Sequence, residues 1–220
     1  MKKQIMFGLV RTKIVLLIIL VFCCSAMAGG WYELNTMDES ELAEKIGEFR
    51  KRLDQNPEDR ETLNGLGIAY HIMATKDAQE YAPLAFKILS KAHEGNEADC
   101  VTLCYLGSAT TLMASTTNDL MEKSSYTNRG IALMDKAVRK APDNVTVRLT
   151  RAYNSKSLPD FLERKSVAVE DFEHLAKMIR KGSLSSISIR KKVYSNLAEL
   201  YEEIGQREKA EDYHKFANGL

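Results

Sequence analysis

Cysteine is scarce in this chain: there are four in 220 residues, and Cys23 and Cys24 fall inside an N-terminal apolar run. The other two, Cys100 and Cys104, are spaced i, i+4, which on a helix puts them on one face but poorly placed for an unstrained disulfide. Two ligands alone make a weak metal site, so both read as small apolar residues in helix packing. Charge of one sign is also lacking, with a formal net charge of +1. Lys2, Lys3, Arg11 and Lys13 all precede the apolar run with no acid beside them. Setting these four aside, the 31 Lys and Arg fall to 27 against 30 Asp and Glu, a net charge of about −3. Nothing in that balance attracts nucleic acid. Catalytic signatures are missing as well: no phosphate loop ending in Lys-Ser/Thr, no G-x-S-x-G, no H-E-x-x-H and no paired-cysteine zinc spacing. The sequence calls for no cofactor, and His71, His93, His174 and His214 are isolated from one another.

The longest apolar run is short for a membrane span. Ile14 to Ala28 covers 15 residues, against roughly 20 for a comfortable crossing. A basic opening, an apolar centre and Ala26-Met27-Ala28 read as a signal peptide over residues 1–28, with Gly29 as the mature start and the periplasm or secretion as the destination. The alternative is a retained anchor that ties the chain to the inner membrane through residues 1–28. Lipid attachment fits less well, because bulky Phe22 precedes Cys23.

The 45% apolar and 28% charged residues of the whole chain suffice for one domain with a sizeable core, placed beyond the leader at 38–220. Residues 29–37, with Trp31 and Tyr32, have no clear period and read as a linker or a strap over the first helix. Asp38 or Ser40 caps a helix bearing Leu42, Ile46, Phe49 and Leu53 at helical spacing, and Asn56-Pro57 stops it. At the other end, Val193 to Ala217 reads as a helical hairpin. Leu197, Ala198 and Tyr201 share one face, Gly205 ends the first helix, and Ala210 and Ala217 share a face of the second. His214 falls between those alanines and reads as a packing residue with a polar edge.

That hairpin resembles the tetratricopeptide repeat, in which small residues let two antiparallel helices approach and an aromatic fills the gap. Leu63, Leu66, Gly67 and Tyr70 match the family's first helix, and Ala85, Leu89 and Ala92, after Pro83, match its second. Leu103, Leu106 and Gly107, followed by Gly130, Met134 and Ala137, form another unit. Arg148, Arg151 and Ala152, then Ala168, Phe172 and Leu175, form the least faithful one. The resemblance implies an all-α, right-handed superhelical stack: one unpaired helix and four pairs, about nine helices. Extra residues within 73–83 and around Ser115 to Asn118 leave open whether helices lengthen or loops project. Ser183 or Ser185 is placed to cap the returning helix.

The same resemblance implies a protein or peptide partner in a groove lined by the first helices of the pairs. Carried over residue by residue, it points to Asn64 and His71, Ser108 and Thr111, and Tyr153 and Lys156. Arg148 and Arg151 stand where the family is usually apolar. Either they pair internally with Asp or Glu of an adjacent helix, or with Asn154 and Lys156 they form an anion or carboxylate site in the groove. An exported interaction scaffold is therefore the expected role. The helical partner subunits of periplasmic solute-transport systems offer a second resemblance. An enzyme would need His and carboxylate side chains converging in one pocket across the repeats.

Overall fold

A short polar side chain starts most of the helices, and these caps set the frame of the fold. The computed structural model describes residues 30–94 and 96–219, so the expected leader at 1–28 lies outside the described residues. The described elements are α1 (Gly30–Leu34), α2 (Glu39–Gln55), α3 (Arg60–Ala74), α4 (Ala78–Glu94), α5 (Cys100–Met113), α6 (Leu120–Lys140), α7 (Val145–Ser157), α8 (Lys165–Arg180), α9 (Ile187–Glu203) and α10 (Arg207–Asn218), with 3₁₀ turns at Ala114–Thr116 and Asp160–Leu162. No described residue is in a strand, and no described helix is long and apolar enough to cross a membrane. After α1, the order is the expected unpaired helix and four antiparallel pairs.

Asp38 opens α2 with a capping box: its carboxylate accepts from Glu41 N at 2.9 Å, and the Glu41 side chain accepts from Asp38 N at 2.8 Å. Asp59, Asp99 and Asn144 cap α3, α5 and α7. Each also closes the same turn, donating its backbone N–H at 3.1 Å to Asn56, Asn96 or Ala141 three residues earlier. The same turn thus leads into the first helices of three successive pairs. The other turn of a pair can use glycine. Gly205 has φ of +77°, a conformation that costs a glycine nothing. There Gln206 N donates to Tyr201 O at 2.8 Å across the end of α9, as in a Schellman cap.

Three details differ from the sequence expectation. The helix placed after Pro83 starts at Ala78 and carries Pro83 inside it, because Asp77 accepts from Glu80 N and caps the longer helix. The extra residues thus lengthen a helix, where each backbone group finds a partner, rather than forming a loop. The larger insertion resolves in the same way: a 3₁₀ turn, a short link and a 21-residue α6. The returning helix α9 has Ser186, not Ser183 or Ser185, at its N-cap, with no side-chain capping bond.

Apolar burial falls into three clusters. The first joins α1 to α5, with Leu42, Phe49, Leu66, Tyr70 and Leu89. A small middle one holds Leu103, Cys104, Met134, Ala137 and Val147. The last runs from α7 to α10 around Phe172, Leu175, Leu197 and Tyr201. Glycine allows the closest contacts between paired helices. A Cβ on Gly67 would stand 2.6 Å from Leu89 Cγ, and one on Gly130 would stand 2.5 Å from the carbonyl oxygen of Gly107. His214 does not fill the packing slot of α10: it is half-exposed and contacts Glu202 at 2.9 Å. Tyr213, one residue earlier, is the buried side chain, with its hydroxyl donating to Glu173 at 2.8 Å.

Candidate functional site

The first helix of each pair contributes to one inner face, and that face encloses a cavity of about 450 Å³. Its wall follows helical period. Thr146, Leu149, Thr150, Tyr153, Asn154 and Ser157 form a single stripe on α7, at spacings that place them above one another. Tyr105, Ser108 and Leu112 come from α5, His71 and Ile72 from α3 with Thr75 just past its end, and Lys192 from α9. Most of the surface facing the cavity is apolar, with hydroxyls, amides and Lys192 set into it, and among the described residues no Asp or Glu lines it. The convergence of His and carboxylate side chains that an enzyme would require is therefore not found at this cavity.

Four of the sequence-derived candidates line it: His71, Ser108, Tyr153 and Asn154. His71 Nε2 lies 2.8 Å from Ser108 Oγ, and Asn154 Nδ2 donates to Ser108 Oγ at 3.1 Å and to Thr111 Oγ1 at 2.5 Å. Thr111 thus acts from behind, as a buried support for Asn154. This polar chain crosses three neighbouring inner helices. The His71 ring meets Tyr105 edge-on at 5.2 Å between centroids.

Burial pushes the His71 pKa down to about 4, because the imidazolium would lose its hydration there. An unfolded histidine titrates near 6.5, so between these values the unfolded chain holds the extra proton. His71 therefore contributes stability that is present above about pH 6.5 and is lost as pH falls toward 4. Urea unfolding is expected to show roughly 2 kcal/mol of this loss between pH 7 and pH 5, absent in His71→Phe. Equal pH slopes for the two proteins would refute the assignment.

The remaining candidates lie elsewhere. Asn64 bridges the starts of α3 and α5, accepting from Thr102 Oγ1 at 2.7 Å and donating to Asp99 at 3.2 Å. Lys156 links α7 to α9 through Asn196 at 2.8 Å and the Glu199 carboxylate. Arg148 and Arg151 do not line the cavity, and they do not form an anion site with Asn154 and Lys156. Both are buried, and both point to Asp171 of α8, which is fully buried. Arg151 grips that carboxylate with two bonds of 2.8 Å, and Arg148 adds one of 2.6 Å. Arg148 also donates to Pro142 O at 2.7 Å. Arg151 and Arg164 share Asp135 of α6 at 3.0 and 2.7 Å. Burial acts to raise the Asp135 pKa, but hydrogen bonds and charge from Arg164 and Arg151 outweigh it and hold the group below its usual range. The internal pairing is the one realised.

The sequence reading missed Tyr105, Thr150 and Asn35. The first two precede Ser108 and Tyr153 by three residues, so helical period alone would have found them. Asn35 carries no such signal. It follows α1, donates to Tyr105 Oη at 3.2 Å and lines the cavity. The strap-like segment also seats Trp31 over Gly65, where a Cβ would meet the indole at 2.7 Å, and buries Leu34.

The architecture has a counterpart among solved structures. A thermophilic TPR protein from Thermus thermophilus superposes with a TM-score of 0.64 over 87% of this chain and 87% of its own, at 16% identity. Human IFIT1, in a dimer with PPP-AAAA, is a more distant match, with a TM-score of 0.40 and 15% identity over 88% of this chain and 49% of its own. No family model matches the sequence, and no curated protein matches it. The fold is a tetratricopeptide-like helical repeat, as the residue pattern implied.

Proposed function

We propose that this chain is an exported interaction scaffold whose inner face holds a peptide segment of a protein partner. The observation that carries this reading is the cavity itself. It opens along the first helices, where a repeat scaffold of this kind presents its binding surface, and its largely apolar wall, with hydroxyls and amides set into it, can pack against an extended chain and hydrogen-bond it. Export is supported by the basic opening, the apolar run and Ala26-Met27-Ala28. Membrane retention through residues 1–28 would leave the same domain outside the inner membrane.

A photo-crosslinking residue at Tyr153 on the inner face and another at exposed Lys136 on α6 test this in cells. The expected result is a discrete protein adduct from position 153 and none from 136, with a mature chain beginning at Gly29 in the periplasmic fraction. Adducts from 136 alone would overturn the inner-face assignment. A chain confined to the cytoplasm would overturn export.

A further inference from the structure

With the Asn154 amide oriented so that its Nδ2 meets Ser108 and Thr111, the polar chain on the cavity wall assigns its protons. Thr111 gives its hydroxyl proton to the Ser108 carbonyl at 2.7 Å, so its oxygen is left to accept from Asn154 Nδ2. Asn154 Nδ2 also donates to Ser108 Oγ. Among the described hydrogen bonds, the only acceptor for the proton of Ser108 Oγ is His71 Nε2. That places the imidazole proton on Nδ1. One donor and one acceptor then remain, His71 Nδ1–H and Asn154 Oδ1, each buried and without a partner among the described residues. They belong to side chains on either side of a single hydroxyl, and both residues are more than nine-tenths buried. Leaving such groups unpaired costs about 1–3 kcal/mol each, which an occupant offering the complementary pair would recover. Both atoms are enclosed, so an occupant reaches them by turning each side chain about its broad terminal torsion, exchanging its bond to Ser108 for one to the occupant.

We propose that the cavity recognises a neutral carboxamide, whose oxygen accepts from His71 Nδ1 and whose NH₂ donates to Asn154 Oδ1. Where the carboxamide is the Gln or Asn side chain of a bound peptide, the proposal rests on the inner-face scaffold reading above. The two unpaired atoms set the selectivity. A carboxylate offers only acceptors and turns one of them against Asn154 Oδ1. An ammonium offers only donors and meets the N–H of His71, with no carboxylate among the described wall residues to balance its charge. A thioether of similar length fills the space and leaves both atoms unpaired. The neutral state of His71 across the physiological range suits an uncharged group.

Calorimetric titration of the full chain tests this with four probes: propionamide and three acetylated, N-methylamide-capped Ala-X-Ala peptides with X as Gln, Glu or Met. The Gln peptide is expected to bind at least about tenfold more tightly than the other two. Asn154→Leu removes the acceptor at similar volume, and His71→Phe removes the donor while keeping a ring against Tyr105. Each is expected to abolish the Gln preference at unchanged helical content. Equal binding of all three peptides, or a Gln preference that survives both substitutions, would overturn the carboxamide site and leave the scaffold reading standing. Binding of propionamide alone, lost in both variants, would support the site and count against a peptide partner. No binding by any probe would overturn the site.

Discussion

Asp171→Ala is expected to destabilise the domain by about 3–5 kcal/mol, the cost of leaving buried charge without its partner. The carboxylate is fully buried and accepts from both Arg148 and Arg151. Without it, Arg148 keeps only the Pro142 carbonyl and the exposed Glu170 at 3.3 Å, while Arg151 must compete with Arg164 for Asp135. Arg148→Met should cost less, because Asp171 retains the two-bonded grip of Arg151. Asp135→Ala should also cost less, because its side chain is 24% exposed and water can reach the arginines. Replacing Asp171, Arg148 and Arg151 together by Leu, Met and Leu is expected to restore much of the stability, since well-packed apolar residues often equal or exceed a buried ion cluster. Thermal and urea unfolding of the four proteins supply the ranking. A triple variant no more stable than Asp171→Ala would show that the cluster contributes beyond mutual compensation.

Gly130→Val is expected to cost about 3 kcal/mol, the upper end of what overpacking a core brings. A Cβ at this position would lie 2.5 Å from Gly107 O and 2.8 Å from Thr111 N, both backbone atoms of α5 that no side-chain rotation can move aside. The helix-propensity gain on replacing glycine, up to about 1 kcal/mol, does not offset separating two helices. Gly47 provides the control. It sits in α2 with nothing within 4 Å of a Cβ, so Gly47→Ala should be stabilising by several tenths of a kcal/mol or more. Urea midpoints of the two variants measure the contrast, and a neutral Gly130→Val would show that the α5–α6 crossing is not set by backbone contact.

The outcome at these glycines and arginines shows what the sequence made legible. Gly67 and Gly107 stood at the small slots of a repeating pattern. Helix contact is a local, periodic requirement, so the pairing of α3 with α4 and α5 with α6 could be read directly. Capping was equally local, and Asp38 with Glu41 announced the start of α2. The partner of a buried charge is not local. Arg148 and Arg151 reported a demand for an acid, but Asp171 lies 23 and 20 residues further on, and only the fold selects it over the other acids of the chain. Pro83 misled for a related reason. A proline is read as a boundary, whereas the cap at Asp77 outweighed it and ran the helix through. On the inner face, His71, Ser108 and Tyr153 were recoverable from repeat position, whereas Asn154 entered only as a companion of the arginines in an anion site that the fold does not form. Asn35 was not, because a segment without period gives no register by which to place it on a groove.

The bonds from His71 through Ser108 to Asn154 also bear on how the solenoid flexes. A stack of helix pairs deforms as a coil spring does, by opening or closing the angle between successive turns, and the strain is greatest between elements tied together on one side. Three consecutive turns are tied there by directional bonds of 2.8 and 3.1 Å, whereas between the second and third units the apolar filling is the small cluster around Met134 and Val147. The middle of the spring, where the apolar filling is smallest, is thus held as well by polar ties that tolerate little stretch.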